Sequence, residues 1–123
     1  MHELQDLLQK IVGFRDQRNW KQFHSPRNLA AALAIEAGEL QETMLWKTDH
    51  EVTELLETAE GRTSIAREIA DVLIYSLLLC DATGIDPMTA IGEKLVENEH
   101  KYPAELSRGK PSKYTQLKWA PCN

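Results

Sequence analysis

Cysteine is scarce in this chain. There are two in 123 residues, Cys80 inside an apolar run and Cys122 almost at the end. Two distant thiols in a small chain argue against a disulfide framework, so both are expected to be free in a reducing cytoplasm. Long hydrophobic runs are also missing. The longest, Val72 to Cys80, falls far short of the ~20 residues that a membrane-spanning helix requires. The opening Met1-His2-Glu3 leads straight into an amphipathic pattern, without the apolar stretch of a signal peptide. Positive net charge is absent too: Lys+Arg 14 against Asp+Glu 19 leaves a formal charge of −5. Nucleic-acid modules usually carry a basic face, so neither a nucleic acid nor a membrane is expected as partner. An anionic substrate would meet a repulsive average field here, and its site needs metal ions or a local basic cluster. Strand-type alternation, internal repeats and low-complexity tracts are not found either.

What is present reads as helix. Hydrophobic residues make up 42% and charged residues 27%, an ordinary balance for one globular domain with a real core. Leu4, Leu7, Leu8, Ile11 and Phe14 recur at helical spacing. After a broken, aromatic stretch from Asn19 to Ser25, Ser25-Pro26 offers an N-cap and a proline at the first helical position. The second helix is expected to run to about Leu45, with Leu29, Leu33, Ala37, Leu40 and Met44 along one face. Lys47 to Arg62 reads as a loop with a short solvated helix. Thr63 or Ser64 is expected to cap a third helix reaching Ala82, with Thr83-Gly84 as its stop. Its second half is apolar nearly all round, the pattern of a helix buried on every side. Asp86-Pro87 opens a fourth helix through about Lys101, with Ile91 and Leu95 facing in and Pro103 ending it. The expected fold is all-α and four-helix bundle-like. Residues 1–106 would form one helical domain, and 107–123 a basic tail.

The chemistry lies in the acids. Glu36 and Glu39 are three apart on the second helix, and Glu68 and Asp71 three apart on the third. At 100° per residue, Glu36 falls between Leu29, Leu33 and Leu40 on one side and Ala32 on the other, while Glu68 falls beside Val72 and Leu79. Both pairs therefore project from an apolar stripe, where carboxylates are rare unless partnered. Taken singly, an i,i+3 acid pair is usually a local cap or salt bridge. Two such pairs on apolar faces of adjacent helices would repel one another and raise each other's pKa unless a cation neutralised them. Oxygen-only ligands suit Mg²⁺ or Mn²⁺ rather than zinc or copper. The di-iron bundles need Glu-x-x-His, and none of His2, His24, His50 or His100 occupies that register.

At these residues the chain resembles the all-α nucleoside triphosphate pyrophosphatases, the MazG-like superfamily, and within it the dCTP pyrophosphatase branch. That pattern is Glu-Glu-x-x-Glu followed later by Glu-x-x-Asp. Glu36-Ala37-Gly38-Glu39 and Glu68-Ile69-Ala70-Asp71 supply it, with Ile35 in place of the leading Glu, as in the dCTP branch. Further similar blocks are Arg15 to Leu29, Trp46-Lys47, Asp71 to Tyr75, Lys101-Tyr102-Pro103 and Ser107 to Tyr114, so the resemblance spans about residues 4 to 116. It implies magnesium held by Glu36, Glu39, Glu68 and Asp71. One carboxylate must also take the proton of the attacking water, and Glu39 is the candidate for that base. The resemblance implies a base pocket from Trp20, Trp46 and Tyr75 with His24 nearby, nucleotide contacts from Lys94 and Asn98, and phosphate contacts from Arg108 and Lys113. Cleavage between the α and β phosphates and a homotetramer or homodimer are implied as well. The open alternatives are a dUTP-directed or broad-specificity enzyme, and a non-catalytic helical interaction module.

Overall fold

The computed structural model of the chain describes residues 3–117; Cys122 lies outside them. Among the described residues the architecture is all-α, without a strand: α1 (Glu3–Gln17), α2 (Pro26–Glu42), α3 (Asp49–Glu57), α4 (Ala59–Thr83), α5 (Pro87–Lys101) and the single turn α6 (Ala104–Ser107). Short 3₁₀ turns occupy Lys21–Phe23 and Tyr114–Gln116. The four expected long helices are α1, α2, α4 and α5, and α3 is the short helix expected between Lys47 and Arg62. No helix among the described residues is long and apolar enough to cross a membrane. The chain divides into two compact units, Met1–Ile85 and Asp86–Asn123.

In the first unit α4 is the hub. It packs most extensively against α2, and also against α3 and α1. Among the described residues the buried apolar side chains are Leu29 of α2 and Ile65 and Leu78 of α4, so the core lies on the α2–α4 seam from which the acids also project. α2 starts where expected: the Ser25 hydroxyl accepts the Asn28 N–H at 3.1 Å, with Pro26 at the first helical position.

Its end comes earlier than expected. α2 stops at Glu42, because the backbone tightens into three-residue turns, Thr43 N–H to the Leu40 carbonyl at 3.2 Å and Met44 N–H to the Gln41 carbonyl at 3.1 Å. The Thr43 hydroxyl also donates to the Leu40 carbonyl at 2.6 Å. Trp46 then takes a left-handed conformation, φ +64°, a region that bulky residues rarely enter.

The start of α4 also departs from expectation. Thr58, not Thr63 or Ser64, is the N-cap, its hydroxyl accepting the Gly61 N–H at 3.0 Å. Gly61 sits in the first turn of α4 because a Cβ there would collide with the Leu55 carbonyl and side chain; only glycine lets α3 come so close. α3 itself begins with a capping box between Thr48 and Glu51 and leaves Val52 and Leu55 half-buried. At the far end of α4, Gly84 at φ +69° closes a Schellman turn, with Ile85 N–H on the Cys80 carbonyl at 3.0 Å.

Two burial expectations fail. The apolar half of α4 is not covered on every side: Leu73 is 56% exposed and Ile74 37%, because α1, α2 and α3 leave part of its circumference open. On α5, Ile91 and Leu95 are exposed rather than inward-facing. Among its described residues, the unit that contains α5 has no second long helix to cover them. Within that unit Tyr114 meets Tyr102 edge to face, centroids 6.1 Å apart, and lies under the Lys101 ammonium at 4.9 Å.

Candidate functional site

The helical register of α2 and α4 carries the acids together as the i,i+3 spacing requires. One carboxylate oxygen each from Glu36, Glu39 and Glu68 lies within 4.8 Å of the others. Asp71, one turn along α4 from Glu68, stands outside that set of three, yet its charge acts on Glu36. Glu36 and Glu68 are half-buried, whereas Glu39 and Asp71 face solvent. Among the described residues none of the four is ion-paired with a Lys or Arg. The pKa of Glu36 is raised, first by a hydrogen bond shared with the Glu39 carboxyl, then by desolvation, then by the negative charges of Glu39, Asp71 and Glu68. Glu36 Oε2 and Glu68 Oε2 are each buried without a hydrogen-bond partner. Buried carboxylate oxygens with no donor are costly. A hard divalent cation would give both a partner and offset the repulsion, so the residues present fit Mg²⁺.

A cavity of about 220 Å³ opens beside this cluster. Its walls are Trp20, His24, Asp71 and Tyr75, together with Ile11, Phe14, Arg15, Ile74 and Leu78. Asp71 thus belongs to both features. The local fold explains the position of Trp20. α1 ends in a Schellman motif, with Asn19 left-handed at φ +54°, Asn19 N–H on the Asp16 carbonyl at 3.0 Å and Trp20 N–H on the Arg15 carbonyl at 3.2 Å. The hydrophobic contact that accompanies such turns is Trp20 against Phe14, edge to face with centroids 5.8 Å apart. His24 follows the 3₁₀ turn; its Nδ1 is buried without a partner, and burial, then the charge of Arg15, push its pKa down. A neutral imidazole in a cleft can donate at one nitrogen and accept at the other.

Three of the four residues read as a base pocket therefore meet: Trp20, Tyr75 and His24. Trp46 is not among the residues lining the cavity and is 92% exposed. Lys94, Asn98, Arg108 and Lys113 all belong to the second unit. There Lys94 is paired with Glu97 at 3.2 Å, the Asn98 carbonyl accepts the Tyr102 N–H at 2.8 Å, and Arg108 and Lys113 are exposed. Sequence reasoning did not single out Arg15, which is 4% exposed in the cavity wall. A signal was available: it occupies an apolar register position, one turn past Ile11 and two past Leu8. A second, open groove of about 490 Å³ runs from Ala59 to Glu68 along the first turns of α4, lined also by Glu60, Thr63, Ser64 and Arg67.

An all-α scaffold with a cation-ready carboxylate cluster opening onto an aromatic cleft is the class of protein that fold and site define. The MazG-like family model matches residues 31–117. The dCTP pyrophosphatase 1 of Rattus norvegicus is 40% identical over 114 residues, which cover 93% of this chain and 67% of that protein. The Homo sapiens dCTP pyrophosphatase 1 matches at the same identity and coverage. Among solved structures, a pyrophosphatase from Archaeoglobus fulgidus DSM 4304 is 43% identical and superposes with a TM-score of 0.76, covering 84% of this chain and 94% of that one. The chain belongs to the MazG-like family, the all-α nucleoside triphosphate pyrophosphohydrolases.

Proposed function

We propose that the chain hydrolyses a pyrimidine deoxynucleoside triphosphate, dCTP or a modified pyrimidine, to the monophosphate and pyrophosphate in a Mg²⁺-dependent reaction. The observation that carries this reading is the convergence of Glu36, Glu39 and Glu68 within 4.8 Å, next to a cavity that shares Asp71 with Trp20, His24 and Tyr75. The choice of base rests on the two dCTP pyrophosphatases at 40% identity.

Glu36, Glu39, Glu68 and Asp71 would hold the metal, with Mn²⁺ as a substitute. Bound there, the ion supplies charge neutralisation for the triphosphate and lowers the pKa of a coordinated water. Trp20 and Tyr75 stack on or flank the base, and His24 offers it a hydrogen bond from a desolvated ring nitrogen. The phosphates then lie toward the carboxylates, with the open groove beside Glu68 leaving them room. Glu39, exposed to solvent, takes the proton of the attacking water and passes it out. Lys94, Asn98, Arg108 and Lys113 are the nucleotide and phosphate contacts by family resemblance, as is Trp46 for the base. Trp46 has a supporting observation: left-handed strain on a bulky exposed residue is a mark of functional positions.

The active species is a homo-oligomer, dimer or tetramer. Support comes from an apolar groove of about 230 Å³ between α1 and α4, lined by Leu7, Ile11, Ala70, Leu73, Ile74 and Leu77, an exposed patch of the kind that marks interfaces. The free thiol of Cys80 suits the cytoplasm.

The decisive experiment measures pyrophosphate release from the four dNTPs and from modified pyrimidine triphosphates, with Mg²⁺ and with EDTA. Alanine at Glu36, Glu39, Glu68 or Asp71 should each remove most activity in a folded protein. Orthophosphate plus diphosphate as products would overturn the α–β assignment, and full activity in any two of the four variants would overturn the metal site. Preference for dUTP would keep the chemistry and move the substrate.

A further inference from the structure

The cleft contains one charged group for which the reaction above has no task. Arg15 is 4% exposed, and its guanidinium is pinned from two sides. Nε and Nη2 each meet Asp16 Oδ1 at 2.9 Å, and Nη1 meets Asp81 Oδ2 at 2.8 Å. Asp81 is 66 positions further along the chain, near the end of α4. The backbone of Arg15 has a second attachment, since its carbonyl accepts the N–H of Arg18 and of Trp20, both at 3.2 Å. One residue thus bolts the end of α1 to α4 by its side chain and holds the turn that presents Trp20 by its main chain. Tyr75, another residue of the cavity wall, lies on α4 between Asp71 and the Asp81 anchor.

Stability alone is a poor reason for such a pair. Only the guanidinium is withdrawn from water, since Asp16 is 52% and Asp81 35% exposed, and ion pairs with so wet a partner contribute little. What a buried fork of hydrogen bonds does supply is registry. Resting on the reading of this cleft as the base pocket, we propose that Arg15, clamped by Asp81 and Asp16, is a positioning residue that sets the distance of Trp20 and His24 from Tyr75, and thereby selects pyrimidine over purine triphosphates. The guanidinium reaches two carboxylates at once, and a lysine ammonium in its place would reach one of them.

The test is a double-mutant cycle on the full-length chain with Arg15→Met, Asp81→Asn and both together, plus Arg15→Lys. Secondary structure and Tm are checked first, and kcat and KM are then measured for the preferred nucleotide and for dATP. Each single variant should raise KM for the preferred nucleotide by roughly tenfold, equal to a coupling of about 1.4 kcal/mol. The effect on kcat should stay below about threefold, since positioning of the base acts on ground and transition states alike. The double variant should be no worse than either single one, Arg15→Lys should recover part of the loss, and the margin over dATP should shrink. Unchanged KM in a folded variant, a loss confined to kcat, or additive effects in the double variant would each overturn the proposal. If Arg15→Met fails to fold, Asp81→Asn decides by the same criteria, because Arg15 keeps Asp16. A wild-type chain that releases no pyrophosphate from any nucleotide would bring down the reading of the site, and this proposal with it. An active wild type with indifferent variants would bring down this proposal alone.

Discussion

Replacing Trp20 by alanine separates the cleft's role in binding from any role in the core. The Schellman turn should survive, because the bond from the residue 20 N–H to the Arg15 carbonyl is made by backbone atoms that alanine retains. Trp20 is 44% exposed, so the loss of folding stability should fall well below the 3–5 kcal/mol of a core Trp→Ala. Its main packing loss is the edge contact with Phe14, and such aromatic pairs contribute about 0.5–1.5 kcal/mol. Binding should suffer more. Stacking of a base on an aromatic ring contributes about 1–3 kcal/mol, which at 1.4 kcal/mol per factor of ten is about a five- to hundredfold rise in KM. The change in kcat should be small, since the base is stacked before and during the reaction. Steady-state pyrophosphate release over a range of dCTP concentrations reads both numbers, with circular dichroism to establish folding. A folded Trp20→Ala with unchanged KM would refute the placement of the base in this cavity.

Three further outcomes follow from the geometry. The raised pKa of Glu36 means that the folded, metal-free protein binds a proton more tightly there than the unfolded chain does. Stability from this group is therefore lost as pH rises through its folded pKa, and in EDTA the Tm of the wild type should lose ground to that of Glu36→Gln as pH rises; added Mg²⁺ should cancel that difference, and a Tm gap independent of pH would contradict it. His24 pulls the other way in both proteins, because its depressed pKa favours the folded state as pH rises. Acid should destabilise both, because the depressed carboxylates Asp86, held by Thr89, and Glu97, held by Lys101 and Lys94, lose their contribution as pH falls through their folded pKa values. Gly61→Ala should destabilise by about 1–3 kcal/mol through overpacking against Leu55, whereas Gly92→Ala on α5, where a Cβ meets nothing within 4 Å, should stabilise by about 0.5–1 kcal/mol; equal urea midpoints for the two variants would remove the close-approach argument. Trp46→Gly should raise Tm by relieving the left-handed strain and raise KM if that strain is kept for binding, while a stabilised variant with wild-type KM would make Trp46 a surface residue only.

The class of fold and the pairing of the acids on shared helix faces were legible along the chain because both depend on local periodicity. An i,i+3 spacing on a helix puts Glu36 with Glu39, and Glu68 with Asp71, whatever else surrounds them, and the apolar neighbours at 100° steps turn Glu36 and Glu68 toward the core, while Glu39 and Asp71 face solvent. Helix starts with chemical markers, Ser25-Pro26 and Asp86-Pro87, were legible for the same reason. The start of α4 was not. Gly61 looks like a breaker in one dimension and becomes the residue that lets α3 approach α4 only once Leu55 is placed against it. Nor could periodicity show that the end of α2 would unwind into the strained turn at Trp46. The role of Arg15 was hidden most completely, because its meaning depends on Asp81, a partner 66 residues away. Local sequence sets which side chains share a helix face. Which distant faces meet, and so which charge is buried and which aromatic side chains line one cleft, is decided by the packing of whole helices, where each contact depends on every other.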